Sequence, residues 1–249
     1  MEQDYVIYQN EKIEYYICRK NIKNIHIRID AELRIIVSAS KKASLDNIRK
    51  IILDKALWIK KAQVKVGKRN SQKENLNFEN GDIVYFYGRK YELKIINDTK
   101  NYVELKDYDV GADLASALEI HINPGYMGNK EYIRNLYFKW MKDMADEELN
   151  RAVVKYYEIL KNRGVPDPTV EIRVMKSRWG TCMCSRNKII LNLLLIKLPA
   201  QCMEYVVLHE LSHFKHPNHS KKFYDFIAEY MPDWKARKKI IDEEYSGIL

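Results

Sequence analysis

Apolar and polar positions alternate through the first forty residues. The runs Tyr5–Tyr8, Ile13–Ile17, Ile25–Ile29 and Leu33–Val37 are rich in β-branched and aromatic residues at a period of two, which predicts strands. Asp30-Ala31-Glu32 predicts a hairpin connection between the last two. The period then lengthens. Ser44 stands as a cap before Ile48, Ile51, Ile52, Leu57, Trp58 and Ile59, one apolar face predicting a helix over about 44–66. Residues 67–80 are polar and read as a linker. Alternation resumes at Ile83–Tyr87 and Tyr91–Ile95, joined through Gly88-Arg89, and again at Tyr102–Leu105 and Leu118–Ile122. His26 and His121 fall on the polar phase of their strands and are expected to face outward.

Pro124-Gly125 breaks this pattern. From Lys130 to Asn162 apolar residues recur every three to five positions, predicting one long helix or two in succession, stopped by Gly164 and Pro166. Strands follow at Thr169–Val174 and Lys188–Asn192, and Pro199 opens a helix. Phe223, Phe226, Ile227 and Tyr230 predict a short helix ended by Pro232, and a last one runs from about Trp234 to Glu244. The pattern therefore predicts an α+β protein, with a β-rich N-terminal region over 1–125 and a second domain over 126–249.

The chemistry lies in the helix after Pro199. It carries His209-Glu210-Leu211-Ser212-His213, and four of the chain's 6 histidines fall between 209 and 219. Histidines four apart share one helix face, so His209 and His213 can reach one metal ion. Glu210 lies about 100° around the helix, placed to take a proton from a water beside that ion without ligating it. For the third ligand, His216 and His219 compete. In a continuous helix His216 would stand about 10.5 Å beyond His209 along the axis, in line rather than at the corner of a tetrahedron. Pro217 drives residue 216 out of the α region, so the helix is expected to end near Lys215 and the chain to return with His219. The preferred set is His209, His213 and His219, with water in the fourth position and Glu210 as general base; a carboxylate from the next helix, Asp225 or Glu229, is the alternative third ligand.

Composition narrows the setting. The N-terminus opens polar and acidic rather than basic then apolar, unlike a secretory signal, and no apolar run reaches membrane-spanning length. Cys18, Cys182, Cys184 and Cys202 are too few for a disulfide framework, so a cytoplasmic setting without membrane contact is expected. The net charge of +9 is spread over both halves. Its one concentration, Lys55 to Lys73, reads first as a solvated helix face and second as a patch for nucleic acid or a phosphorylated ligand.

Arg178-Trp179-Gly180-Thr181-Cys182, Asn192, Leu198-Pro199, Tyr205 through His213, Asn218-His219-Ser220 and Phe223 together resemble the YgjP-like family of zinc metallopeptidases. The N-terminal strands and the Gly88-Arg89 hairpin look like it too; Thr181 and Tyr224 depart from it, at positions where the family usually has Ser and Trp. The resemblance implies a zincin-like mini-metalloprotease core, a small sheet packed on the active-site helix, similar to SprT-like and Wss1-like DNA-associated proteases. It implies one zinc ion per chain on His209, His213 and His219, Glu210 as catalytic base, and a peptide or protein substrate. Arg178, Trp179 and Asn192 are candidates for the substrate cleft: Arg178 for a substrate carboxylate or phosphate, Trp179 for a wall. The alternatives are a metal-dependent nucleoside triphosphate pyrophosphatase, and a DNA-associated protease or non-catalytic binding module.

Overall fold

A computed structural model describes residues 1–71, 76–110 and 113–249, and they form two compact units, Met1–Lys73 and Glu74–Leu249. In the first, β1 (Glu2–Tyr8), β2 (Glu11–Lys20), β3 (His26–Ile29) and β4 (Ile35–Ser40) make a sheet of order β1-β2-β4-β3. The β2–β4 pair is parallel and the others antiparallel. Its inward side chains, among them Tyr15, Ile17 and Val37, pack with Ile48, Ile52 and Ile59 of two helices. The single helix expected over 44–66 is two, α1 (Leu45–Asp54) and α2 (Ala56–Ser71), broken at Lys55. Ser44 caps α1 by accepting from the Asn47 N–H. Helix α2 also runs into the stretch expected to be linker. Of the basic stretch, Lys73 and the side chains of Lys68 and Arg69 lie outside the described residues.

The second unit begins with β5 (Ile83–Phe86), β6 (Arg89–Asn97), β7 (Tyr102–Val110) and β8 (Asp113–Ile122), in the order β5-β6-β8-β7. One core joins this sheet to α3 (Lys130–Leu160), which buries Ile133, Tyr137, Met141, Ala145, Leu149 and Val153 along one line. Helix α3 is capped by Asn129 and gives way, through one short turn of 3₁₀ helix, to Gly164 at φ 82°. The compact units therefore do not divide at 125/126: β5–β8 share their core with α3 and belong with everything that follows.

His121 lies on the face of its strand opposite the core, as alternation predicts, but it is buried there. Strand β8 is flanked by β6 and β7; Leu118, Ile120 and Ile122 enter the core, while Glu119 and His121 are buried on the other face beneath the side chains of Tyr102, Glu104 and Lys106. The imidazole is held there by carboxylates, with Nδ1 at 2.8 Å from Asp98 and Nε2 at 3.1 Å from Glu104 and 3.3 Å from Glu119, stacked on Tyr102.

A second sheet, order β10-β11-β9, is built from β9 (Thr169–Arg173), β10 (Gly180–Met183) and β11 (Lys188–Asn192). It leaves β10 at an edge beside α4 (Ala200–Ser212), which α5 (Lys221–Tyr230) and α6 (Trp234–Glu244) follow. The α+β class is as the sequence predicts. The β5–β6 turn fixes where α4 begins. Tyr87 and Gly88, at φ 48° and 76°, donate their backbone N–H groups to the carbonyls of Ile196 and Lys197 at 3.0 Å each. A side chain at position 88 would meet Pro199 within 2.6 Å, so glycine is required there twice over.

Candidate metal centre

Helix α4 is apolar nearly all round, burying Met203, Tyr205, Val206, Val207, Leu208 and Leu211. Each such side chain contributes about 1.5–3 kcal/mol on leaving water, so the helix is fixed as a core element. His209 and His213 stand on its remaining face with ring centroids 4.9 Å apart. After Ser212 the helix tightens: the N–H groups of His213, Phe214 and Lys215 bond three residues back, and the chain leaves at Pro217. It returns through Asn218 with His219, whose Nε2 faces the His209 Nε2 at 2.9 Å. One ring nitrogen from each of His209, His213 and His219 lies within 4.8 Å of the others.

These three groups fit a metal. Burial, with the neighbouring imidazoles adding to it, lowers the His209 pKa to about 3, and burial lowers that of His213; ligation needs the neutral ring. The His209 Nδ1 is buried with no hydrogen-bond partner among the described residues, so hydrogen bonding alone does not satisfy that ring. The His213 Nδ1 lies 3.3 Å from the His216 carbonyl oxygen, and its N–H donating there leaves Nε2 free to face the other rings. Helix α5 places Phe223, fully buried, against all three imidazoles, with centroids at 4.9, 4.7 and 4.9 Å.

The other candidates fall outside this cluster. The His216 ring packs edge-on against Phe226 at 5.4 Å and contributes only its carbonyl. Glu229 is paired to Arg163 at 2.5 Å, and Asp225 is exposed and outside the cluster.

Glu210 is turned away from the three rings, toward β10. It is 6% exposed, and burial raises its pKa to about 8 against the opposing effects of the Arg178 charge and a backbone N–H from Cys182. The strand passes so close that a Cβ on Gly180 would stand 2.6 Å from the Glu210 Cγ and Oε1. Arg178, Trp179 and Gly180 line, with Tyr205, Val206 and Ile241, a cavity of about 240 Å³ that opens beside His209 and Glu210. Arg178 and Trp179 therefore stand at the cleft.

Asn192 does not. It is fully buried, and its amide binds four backbone groups: Nδ2 donates to the carbonyls of Met175 and Arg178 at 2.8 and 2.9 Å, while Oδ1 accepts from the N–H groups of Met175 and Leu194 at 3.2 and 3.1 Å. It shapes the loop that carries Arg178 and Trp179. Sequence reasoning also passed over Gly180 as clearance, Phe223 as a floor for the imidazoles, and the His216 carbonyl. The Gly after Arg178-Trp179 is the one local signal for the first.

The family model for the YgjP-like metallopeptidase domain matches residues 23–244. Among curated proteins there is no match. Two solved structures are similar over part of the chain. The metallopeptidase zymogen of Pyrococcus abyssi abylysin is 21% identical over 41% of this chain and 99% of its own, with a TM-score of 0.35. The zymogen of Methanocaldococcus jannaschii jannalysin is 23% identical over 39% of this chain and 90% of its own, also at 0.35.

Proposed function

The chain belongs to the YgjP-like family, its match to the metallopeptidase domain spanning residues 23–244, and from that premise we propose a zinc peptidase centred on helix α4. In this reading His209, His213 and His219 hold one zinc ion and Glu210 is the general base. The observation that carries it is the convergence of three imidazole nitrogens within 4.8 Å, with a buried carboxylate on the residue next to His209. All-imidazole donors suit zinc, and three protein ligands leave a fourth position for water or substrate.

Zinc, when bound, acts as a Lewis acid that makes water more acidic and polarises a carbonyl. The protein's own groups do the rest. Glu210 takes a proton from the attacking water and returns it to the leaving amine nitrogen, so that the peptide C–N bond breaks to a carboxylate and an amine. Phe223 and the His216 carbonyl orient the imidazoles. Strand β10 lies at a sheet edge beside Glu210, and such an edge suits an extended peptide.

The test pairs zinc content with peptide turnover in the wild type and in Glu210→Gln. We expect about one zinc per chain in both and a loss of turnover of roughly 100- to 10,000-fold in the variant. A Glu210→Gln enzyme of undiminished activity would overturn the reading.

A further inference from the structure

The cavity beside Glu210 is chemically divided. Its walls are apolar: Trp179 packs against the core, and Tyr205, Val206 and Ile241 are buried. Its volume of about 240 Å³ suits one large side chain and no more. Two cations line it, and they differ. Lys238 is committed, ion-paired to Asp242 one helical turn along α6. The Arg178 guanidinium is exposed and has neither a hydrogen bond nor a salt bridge among the described residues, although its charge reaches Glu210. A second hollow on the far side of Arg178 adds Lys176, also exposed. An arginine held beside a reacting centre without a carboxylate partner offers an open fork for a planar anion.

We propose that this cavity is the subsite for the last residue of the substrate, taking a large apolar side chain while Arg178 holds the free α-carboxylate. The proposal rests on the peptidase reading above and narrows it to removal of a C-terminal residue. An acidic side chain fits less well, because entering the cavity would carry its carboxylate among Trp179, Val206 and Ile241, where Lys238 is already paired to Asp242, and away from the exposed guanidinium. An apolar side chain with its carboxylate at the rim matches both halves at once. Water is added across one bond: oxygen joins the carbonyl carbon, the C–N bond breaks, and a proton passes to the nitrogen of the departing amino acid.

The test uses the full chain loaded with zinc and matched peptides ending in phenylalanine, aspartate or glycine, each as free acid and as C-terminal amide. Products are mapped by mass spectrometry, and binding of the same peptides to Glu210→Gln is measured by calorimetry. We expect phenylalanine to be released from the free acid on the order of 10- to 100-fold faster than from the amide, the range of one charge-assisted contact. Arg178→Gln is expected to abolish that preference, and Arg178→Lys to restore part of it. Equal cleavage of acid and amide, cleavage at internal bonds only, or an unchanged preference in Arg178→Gln would overturn the proposal. If no peptide is cleaved at all, the peptidase reading fails; the binding arm still decides the subsite, since acid bound no tighter than amide overturns it.

Discussion

Gly180 and Glu210 share a space that admits only one of them with a side chain beyond Cα. A Cβ at 180 would lie 2.6 Å from both Cγ and Oε1 of Glu210 and 2.8 Å from Cδ. Glu210 is 6% exposed between the strand and its own helix, so its carboxylate could yield only toward the adjoining cavity. Gly180→Ala is therefore expected to push the carboxylate off its position while leaving the three imidazoles, from which Glu210 is turned away, undisturbed. Displacing a catalytic group by about an ångström costs roughly 100-fold. We expect kcat to fall by about that factor with zinc stoichiometry unchanged. Zinc titration beside steady-state kinetics checks it, and full activity in Gly180→Ala would show that Glu210 does not act from this position.

His216 and His219 give opposite expectations from neighbouring positions. Pro217 turns the chain between them, so His219 reaches His209 at 2.9 Å while the His216 ring lies against Phe226. His219→Ala should weaken zinc binding by more than about 100-fold, beyond the 10- to 100-fold typical of residues that only orient ligands. His216→Ala keeps the carbonyl that orients His213 and should bind zinc within a few-fold of wild type. Competition against a chromogenic chelator measures both. A tight-binding His219→Ala would return the third ligand to question.

What the sequence made legible was whatever is carried by local spacing. The histidine cluster is a helix period plus one proline, and both act within eleven residues; the turn expected at Gly88-Arg89 falls one residue earlier, at Tyr87-Gly88, because Arg89 already pairs with Phe86 in the ladder. What stayed hidden depends on partners far along the chain. Alternation gives the face on which His121 stands but not its burial, which comes from Tyr102 stacked on the ring and from Asp98, Glu104 and Glu119 around it. The break at Lys55 has no glycine or proline to announce it. Asn192 stood among the cleft candidates through the family resemblance, with no local spacing to place it. Its burial is explained only by the return of residues 175–178 across it.

Asn192 supports the cleft from behind. Its amide makes four hydrogen bonds to the backbone of residues 175, 178 and 194 in a fully buried position. Asn192→Ala strands those backbone groups and should destabilise the fold by about 2–3 kcal/mol, with KM rising as the loop carrying Arg178 and Trp179 loosens. Asn192→Asp keeps the two accepted bonds and loses the two donated ones, so it should be as damaging or worse. Thermal unfolding with peptide KM reads both effects; an Asn192→Ala protein as stable as wild type would refute this role.

Asp4 supplies an acid-sensitive lock in the first unit. It accepts from the Tyr15 hydroxyl at 2.7 Å and from Nε and Nη2 of Arg49 at 3.0 Å each, tying β1 and β2 to α1. These bonds favour the carboxylate, with the Arg49 hydrogen bonds the largest cause, and lower its pKa from 3.8 to about 2. A group whose folded pKa is depressed binds protons more readily when unfolded, so its contribution is present above pH 3.8 and lost as pH falls toward 2. Allowing for solvent around the Arg49 side chain, that contribution is about 1 kcal/mol. Asp4→Asn should therefore lower stability at neutral pH by about this amount and flatten its loss between pH 4 and 2. Urea unfolding followed by tyrosine and tryptophan fluorescence across that window tests the sign. A steeper acid loss in Asp4→Asn than in wild type would contradict the arrangement of Asp4, Tyr15 and Arg49.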